Sequence, residues 1–119
     1  MSYDLDFWKY KEGTYLNNQV VYEQCSNEQI VDGLETIPID LILADIKTEF
    51  AAWKMEESNL DYENPSGKGA FHISHTTQFV RFDCYGMEGG DMNRIIDIMN
   101  KYDCPLYDPQ VPQRYDGIQ

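Results

Sequence analysis

Positive charge is what this chain has least of. Only nine of its 119 residues are Lys or Arg, against twenty-one Asp and Glu, so the formal charge is −12 at pH 7. A surface that negative repels phosphate backbones and anionic lipid, and attracts whatever is basic. Direct nucleic-acid binding and membrane association are therefore not expected. Cysteine is also scarce: Cys25, Cys84 and Cys104 are odd in number, far apart, and form no Cys-x-x-Cys pair. That excludes a disulfide framework and predicts reduced thiols, with Cys84 and Cys104 as small core residues, in a reducing compartment. No apolar run approaches the ~20 residues that span a bilayer. The opening residues, Met1 to Asp6, are acidic where a secretory signal is basic and then apolar. The expected location is the cytoplasm. His72 and His75 are the only histidines. Three apart on a strand they point to opposite faces, so they do not make a metal site, and neither metal nor cofactor is expected.

What the chain does have is enough apolar surface to fold. Hydrophobic residues make up 42% and aromatics 13%, which with the dispersed acidic residues excludes a disordered acidic tail. The length suits one domain with one core. Residues 3–10 alternate as a half-buried strand, with Leu5 and Phe7 against Asp4, Asp6 and Trp8. Residues 15–23 read as a second, extended stretch through Val20, Val21 and Tyr22. A helix is predicted from Pro38 to about Trp53, with Ile39, Ile42, Leu43, Ile46, Phe50 and Trp53 on one stripe and Thr36 as its cap. Residues 54–69 read as a polar connection ending in the turn formers Asn64 to Gly69. Strands follow at 70–75 and 78–85, the second turning Val80, Phe82 and Cys84 one way and Phe79, Arg81, Asp83 and Tyr85 the other. Asp91 is expected to cap a helix over 92–102, whose apolar face is Met92, Ile95, Ile96, Met99 and Tyr102. A short strand over 104–108 and a loose tail from 110 to 119 complete the reading. The fold class is α+β: an antiparallel sheet with two helices on one face, ferredoxin-like (split βαβ), with an extra N-terminal hairpin strand.

No residue set spells out a reaction. Cys84 paired with either histidine fails as a nucleophile, because its phase points it at the core and the chain has little positive charge to activate it. The carboxylates are too many to single out a catalytic pair, and a glycosidase-type pair needs a cleft that a chain this small has little room for. Gly86 to Gly90 lacks the ending of a phosphate loop, and Glu88 and Asp91 repel phosphate. The sheet aromatics suggest RNA-binding modules of similar fold, but the field has the wrong sign. No catalytic residue is assigned.

The remaining signal is acids interleaved with aromatics. Tyrosine and tryptophan anchor protein interfaces, and acids steer a basic partner in. The segment Glu56, Glu57, Asp61, Tyr62 and Glu63 is the first candidate contact surface, and Asp4, Asp6 and Trp8 the second. Three segments look familiar together: Met1-Ser2-Tyr3-Asp4-Leu5-Asp6-Phe7-Trp8-Lys9, Val80-Arg81-Phe82-Asp83-Cys84-Tyr85-Gly86, and Cys104-Pro105-Leu106-Tyr107-Asp108-Pro109-Gln110. With them the chain resembles small bacterial immunity proteins of polymorphic toxins, including those of contact-dependent growth inhibition systems. The resemblance implies a cytoplasmic, non-enzymatic protein that neutralises one cognate toxin domain, often a nuclease and then basic. Immunity families share no binding residues, so the role alone carries over. The competing expectation is a small cytoplasmic enzyme or ligand-binding domain using the open sheet face near Tyr85, Arg81 and His72. The oligomeric state stays open.

Overall fold

The computed structural model describes residues 2–56, 58 and 60–116. Strand β1 (Ser2–Trp8) forms as its alternation predicts. Leu5 and Phe7 enter one apolar cluster, while Trp8 enters a second on the opposite face.

The next element departs from expectation. Residues 18–26 form helix α1 (Asn18–Ser26), not a hairpin strand. The Asn17 side chain accepts the Val20 N–H at 3.1 Å, which caps the first turn. Val21 and Cys25, four apart, are its buried stripe. Helix propensities differ by up to ~0.7 kcal/mol per residue. Burying one valine side chain contributes about 1.5–3 kcal/mol, so packing outweighs the local preference of Val20-Val21 for a strand.

Helix α2 (Ile39–Glu49) starts at Pro38 with no side-chain cap, so Thr36 does not play that role. It ends earlier than its apolar stripe: Phe50 N–H still bonds the Ile46 carbonyl, then Trp53 N–H bonds the Phe50 carbonyl in a turn. The expected polar connection carries two short strands, β2 (Lys54–Met55) and β3 (Asp61–Glu63), because Tyr62 is apolar enough to be drawn into the core. Strands β4 (Ala70–His75) and β5 (Phe79–Tyr85) lie where predicted. Helix α3 (Gly89–Lys101) begins at Glu88, three residues before the expected cap. Strands β6 (Leu106–Asp108) and β7 (Gln113–Arg114) close the described chain. Within the expected loose tail the structure places a short strand, β7, and describes the chain through residue 116. β7 pairs with β6, and the buried Arg114 donates to the Trp8 carbonyl at 2.7 Å. Residues 117–119 lie outside the described residues.

Among the described residues the result is a mixed α+β fold: one antiparallel sheet, in the order β2-β3-β4-β5-β1-β6-β7, with three helices. Helices α2 and α3 cover one face through Ile42, Ile46, Ile95 and Met99, which meet Leu5, Phe7, Phe71, Ile73 and Phe82 from the sheet. The other face was expected to be open. Instead α1 and Val31–Leu34 cover part of it, over Trp8, Phe79 and Tyr107. The strip towards β3 and β4 stays uncovered. Among the described residues no helix is long and apolar enough to cross a membrane.

Candidate functional site

Strand register assembles an acidic row on the second sheet face. Asp61 on β3 pairs with His72 on β4, His72 with Asp83 on β5, and Asp83 with Asp4 on β1. The adjoining row runs Ser74, Arg81, Asp6, Tyr107. Alternation puts all of these side chains on one face, since partners across a ladder point the same way.

Arg81 organises the row. Its Nη2 meets Asp4 Oδ2 at 2.9 Å and its Nε meets Asp83 Oδ1 at 2.9 Å. The Tyr22 hydroxyl, reaching down from α1, donates to Asp4 at 3.1 Å. Burial raises the Asp4 pKa, the neighbouring Asp83 carboxyl raises it further, and Arg81 opposes both. Burial works against the charge of Arg81, but its bond to Asp83 and the fields of Asp4 and Asp83 outweigh that, and its pKa is raised. Burial, then the charges of Asp6 and Asp4, push the Tyr22 hydroxyl up to about 12.

Asp6 is left over. It is 0% exposed, and neither carboxylate oxygen has a hydrogen-bond partner. Burial pushes its pKa up to about 8, with Asp4, Asp83 and Asp108 adding to the shift and Arg81 opposing it. That value suits proton transfer near neutrality, but a sealed carboxyl with no path to substrate cannot carry out general acid–base chemistry in this conformation. The thiols are equally withdrawn. Burial pushes Cys25 and Cys84 to about 12 and Cys104 to about 11, the opposite of an activated nucleophile. Among the described residues no group of three or more His, Cys, Asp or Glu side chains is placed to hold a metal ion.

The open end of the row runs into the β2–β3 edge. Glu56 and Glu63 are exposed there, beside the half-buried Asp61 whose Oδ1 lies 2.7 Å from His72 Nδ1. They border a shallow cleft of about 210 Å³, walled on its far side by Tyr85, which is 51% exposed. A second, polar cleft of about 420 Å³ lies between the C-terminal end of α1 and the β4–β5 turn, lined by Ser74, His75, Arg81 and Asp83 among others.

Of the contact residues expected from sequence, Glu56, Asp61 and Glu63 come together on this edge, and Asp4 sits in the same row at β1. Glu57 lies outside the described residues. Three expectations fail on exposure. Tyr62 is 2% exposed and stacks on Phe71 at 4.8 Å, so it is a core residue and cannot anchor a partner. Trp8 is 0% exposed, against Phe79 and Tyr107, and Asp6 is sealed beneath α1. The reason is common to Trp8 and Asp6: alternation predicts a solvated face there, and α1 covers it. Alternation along β5 places Arg81 and Asp83 on this face but not beside Asp4, because the β1–β5 neighbourhood is not written in local spacing.

Four more of the nine basic residues are also used internally. Lys9 pairs with Glu35 at 3.1 Å, Arg94 with Glu49 at 2.7 Å, Lys101 with Asp45 at 3.4 Å, and Arg114 with Asp116 at 3.0 Å. No family model matches this chain, and no curated protein matches it significantly.

Proposed function

We propose that this chain is an immunity-type inhibitor, a cytoplasmic protein that binds one cognate toxin domain of basic, nuclease-like character and occludes its active or substrate-binding site. The observation that carries the reading is the internal consumption of cations. Five of the nine basic residues are held in ion pairs within the fold. At the β2–β3 edge Glu56, Asp61 and Glu63 stand against one lysine, Lys54, which lies opposite Glu63 across the ladder, and among the described residues His72 pairs with Asp61, so the edge stays net acidic. A nuclease must present a basic cleft to hold phosphates, and an acidic edge is complementary to it. Such complementarity raises association rates and is sensitive to salt. The proposal also takes β1-α2-β4-β5-α3-β6 as a ferredoxin-like split βαβ core, in which β5 lies between β4 and β1, with β2, β3 and β7 as extensions.

The test is to mix the purified chain with the toxin domain encoded beside it and follow complex formation and nuclease activity. A one-to-one complex with stoichiometric loss of cleavage is expected. Charge reversal at Glu56, Asp61 and Glu63 together is expected to slow association by orders of magnitude. Unchanged kinetics would remove this edge as the contact surface.

A second reading, a ligand-binding domain or small enzyme, draws on the 420 Å³ cleft beside α1. Its one guanidinium, Arg81, is already engaged by Asp4 and Asp83. Multiple turnover of a small metabolite, abolished by Ser74→Ala or His75→Ala, would favour it over inhibition.

A further inference from the structure

We propose that α1 is a proton-latched cover, closed on the sheet while Asp6 is protonated and lifting from it when Asp6 ionises. Charges are mismatched at the seam between helix and sheet. Three carboxyl groups, Asp4, Asp6 and Asp83, share one guanidinium, and Arg81 spends its contacts on Asp4 and Asp83. Asp6 receives no hydrogen bond on either oxygen. An ionised carboxylate in that position is desolvated without compensation, whereas a protonated one is tolerated.

Among the described residues nothing else around Asp6 can take up its charge. From β1 itself it faces Asp4, and from β5 Arg81 and Asp83. From α1 it faces Tyr22 and Cys25, and from β6 Tyr107 and Asp108. Every one of these except Arg81 is an acid or a weak acid, and adding charge at Asp6 raises the others too.

Relief by opening is available because α1 is lightly held. Only Val21 and Cys25 of its nine residues are buried. Three hydroxyl bonds tie it down: Tyr22 to Asp4, Tyr107 to Gln19, and Tyr10 to Asn18 at 2.6 Å. It has no acid in its first turn and no base in its last, so its dipole is uncompensated. The larger apolar cluster, including α2 and α3, lies on the other face and has no part of α1 in it; what α1 shares is the smaller cluster with Trp8, Phe79 and Tyr107. An element with few buried contacts is where sub-global opening occurs. Lifting α1 lets water reach Asp6 while the rest of the sheet stays packed.

Linkage sets the expected response. Open, Asp6 titrates near its ordinary value; closed, near 8. The open fraction therefore rises by up to about tenfold per pH unit between those limits and levels off above the second.

The experiment is residue-level amide hydrogen exchange on the full chain from pH 5.5 to 9.5, corrected for the intrinsic base dependence of exchange. Amides of α1 are expected to lose protection up to about tenfold per unit, with a plateau near pH 8, while those of β5 and α3 do not follow. In Asp6→Asn the α1 protection is expected to be independent of pH. Equal pH dependence in Asp6→Asn and the parent, or α1 protection constant across the range in the parent, overturns the proposal. Should Asp6→Asn fail to fold, Asp4→Asn serves instead. Removing that neighbouring charge is expected to bring the plateau to lower pH, and an unmoved plateau overturns the proposal equally.

Discussion

Gln78 holds Val31 by both ends of its backbone. Its Oε1 accepts the Val31 N–H at 2.9 Å and its Nε2 donates to the Val31 carbonyl at 3.0 Å, with the Leu34 carbonyl also within reach at 3.2 Å. A buried side-chain amide thus stands in for a strand partner and fastens the loop after α1 to the start of β5. Removing it strands a buried donor and two acceptors. Gln78→Ala is expected to lower stability by about 2–4 kcal/mol, read as a drop in the urea midpoint. A change below about 0.5 kcal/mol would show that water replaces the amide without loss.

Tyr62 separates a core role from an interface role. Its ring stacks on Phe71, but its buried hydroxyl has no partner. Tyr62→Phe is expected to hold or raise stability, by up to about 1 kcal/mol, because it removes an unsatisfied polar group. Tyr62→Ala is expected to cost about 3–5 kcal/mol through the cavity it leaves. Thermal denaturation of the two variants checks both. A destabilised Tyr62→Phe would mean that the hydroxyl finds a partner in solution.

Asp6 gives stability an unusual slope against pH. Its folded pKa, about 8, lies above the ordinary carboxyl value of 3.8. Below the ordinary value both folded and unfolded chains hold the proton, and the contribution is fully present. Between the two values the unfolded chain loses the proton and the folded chain keeps it, so stability falls as pH rises. The slope is at most about 1.4 kcal/mol per unit, and the loss is complete above about pH 8. Urea denaturation at pH 5, 6, 7 and 8 is expected to show Asp6→Asn gaining on the parent at each step. Parallel curves would mean that Asp6 is already ionised in the fold.

The thiols give a test of packing that needs no variant. All three cysteines are buried and none is bridged. With each pKa raised by burial, thiolate is rare at pH 7. A thiol reagent is expected to label Cys84 and Cys104 only as fast as the protein opens, and Cys25 faster, in step with the lighter hold on α1. Labelling of all three at one common rate would mean that α1 opens only with the whole fold.

Arg94 joins the two helices of the larger cluster. Its Nη2 donates to the Glu49 carbonyl at 2.6 Å, its Nε meets the Glu49 carboxylate, and its guanidinium sits 4.3 Å from the Phe50 ring centre. Arg94→Lys keeps the charge but loses the fork and the stacking. It is expected to cost about 0.5–1.5 kcal/mol, again as a shift in the urea midpoint. No measurable shift would reduce the contact to a surface ion pair.

Local spacing determined a good part of this protein on its own. Period-two alternation located β1, β4 and β5, and spacings of three and four located α2 and α3, because side-chain direction along one element is a property of that element. Composition likewise determined the acidic surface and the absence of a bilayer-spanning helix among the described residues. Only the tertiary structure decided what lies over each face. Alternation put Asp4, Asp6 and Trp8 on one side of β1 but could not say that α1, built from residues that locally favour a strand, would cover Trp8 and seal Asp6. Nor could it say that β5 would bring Arg81 to Asp4, or that Tyr62 would turn inward at the β2–β3 edge. Burial, pairing and the raised pKa of Asp6 come from residues distant in sequence, where the free energy of packing outweighs local preference.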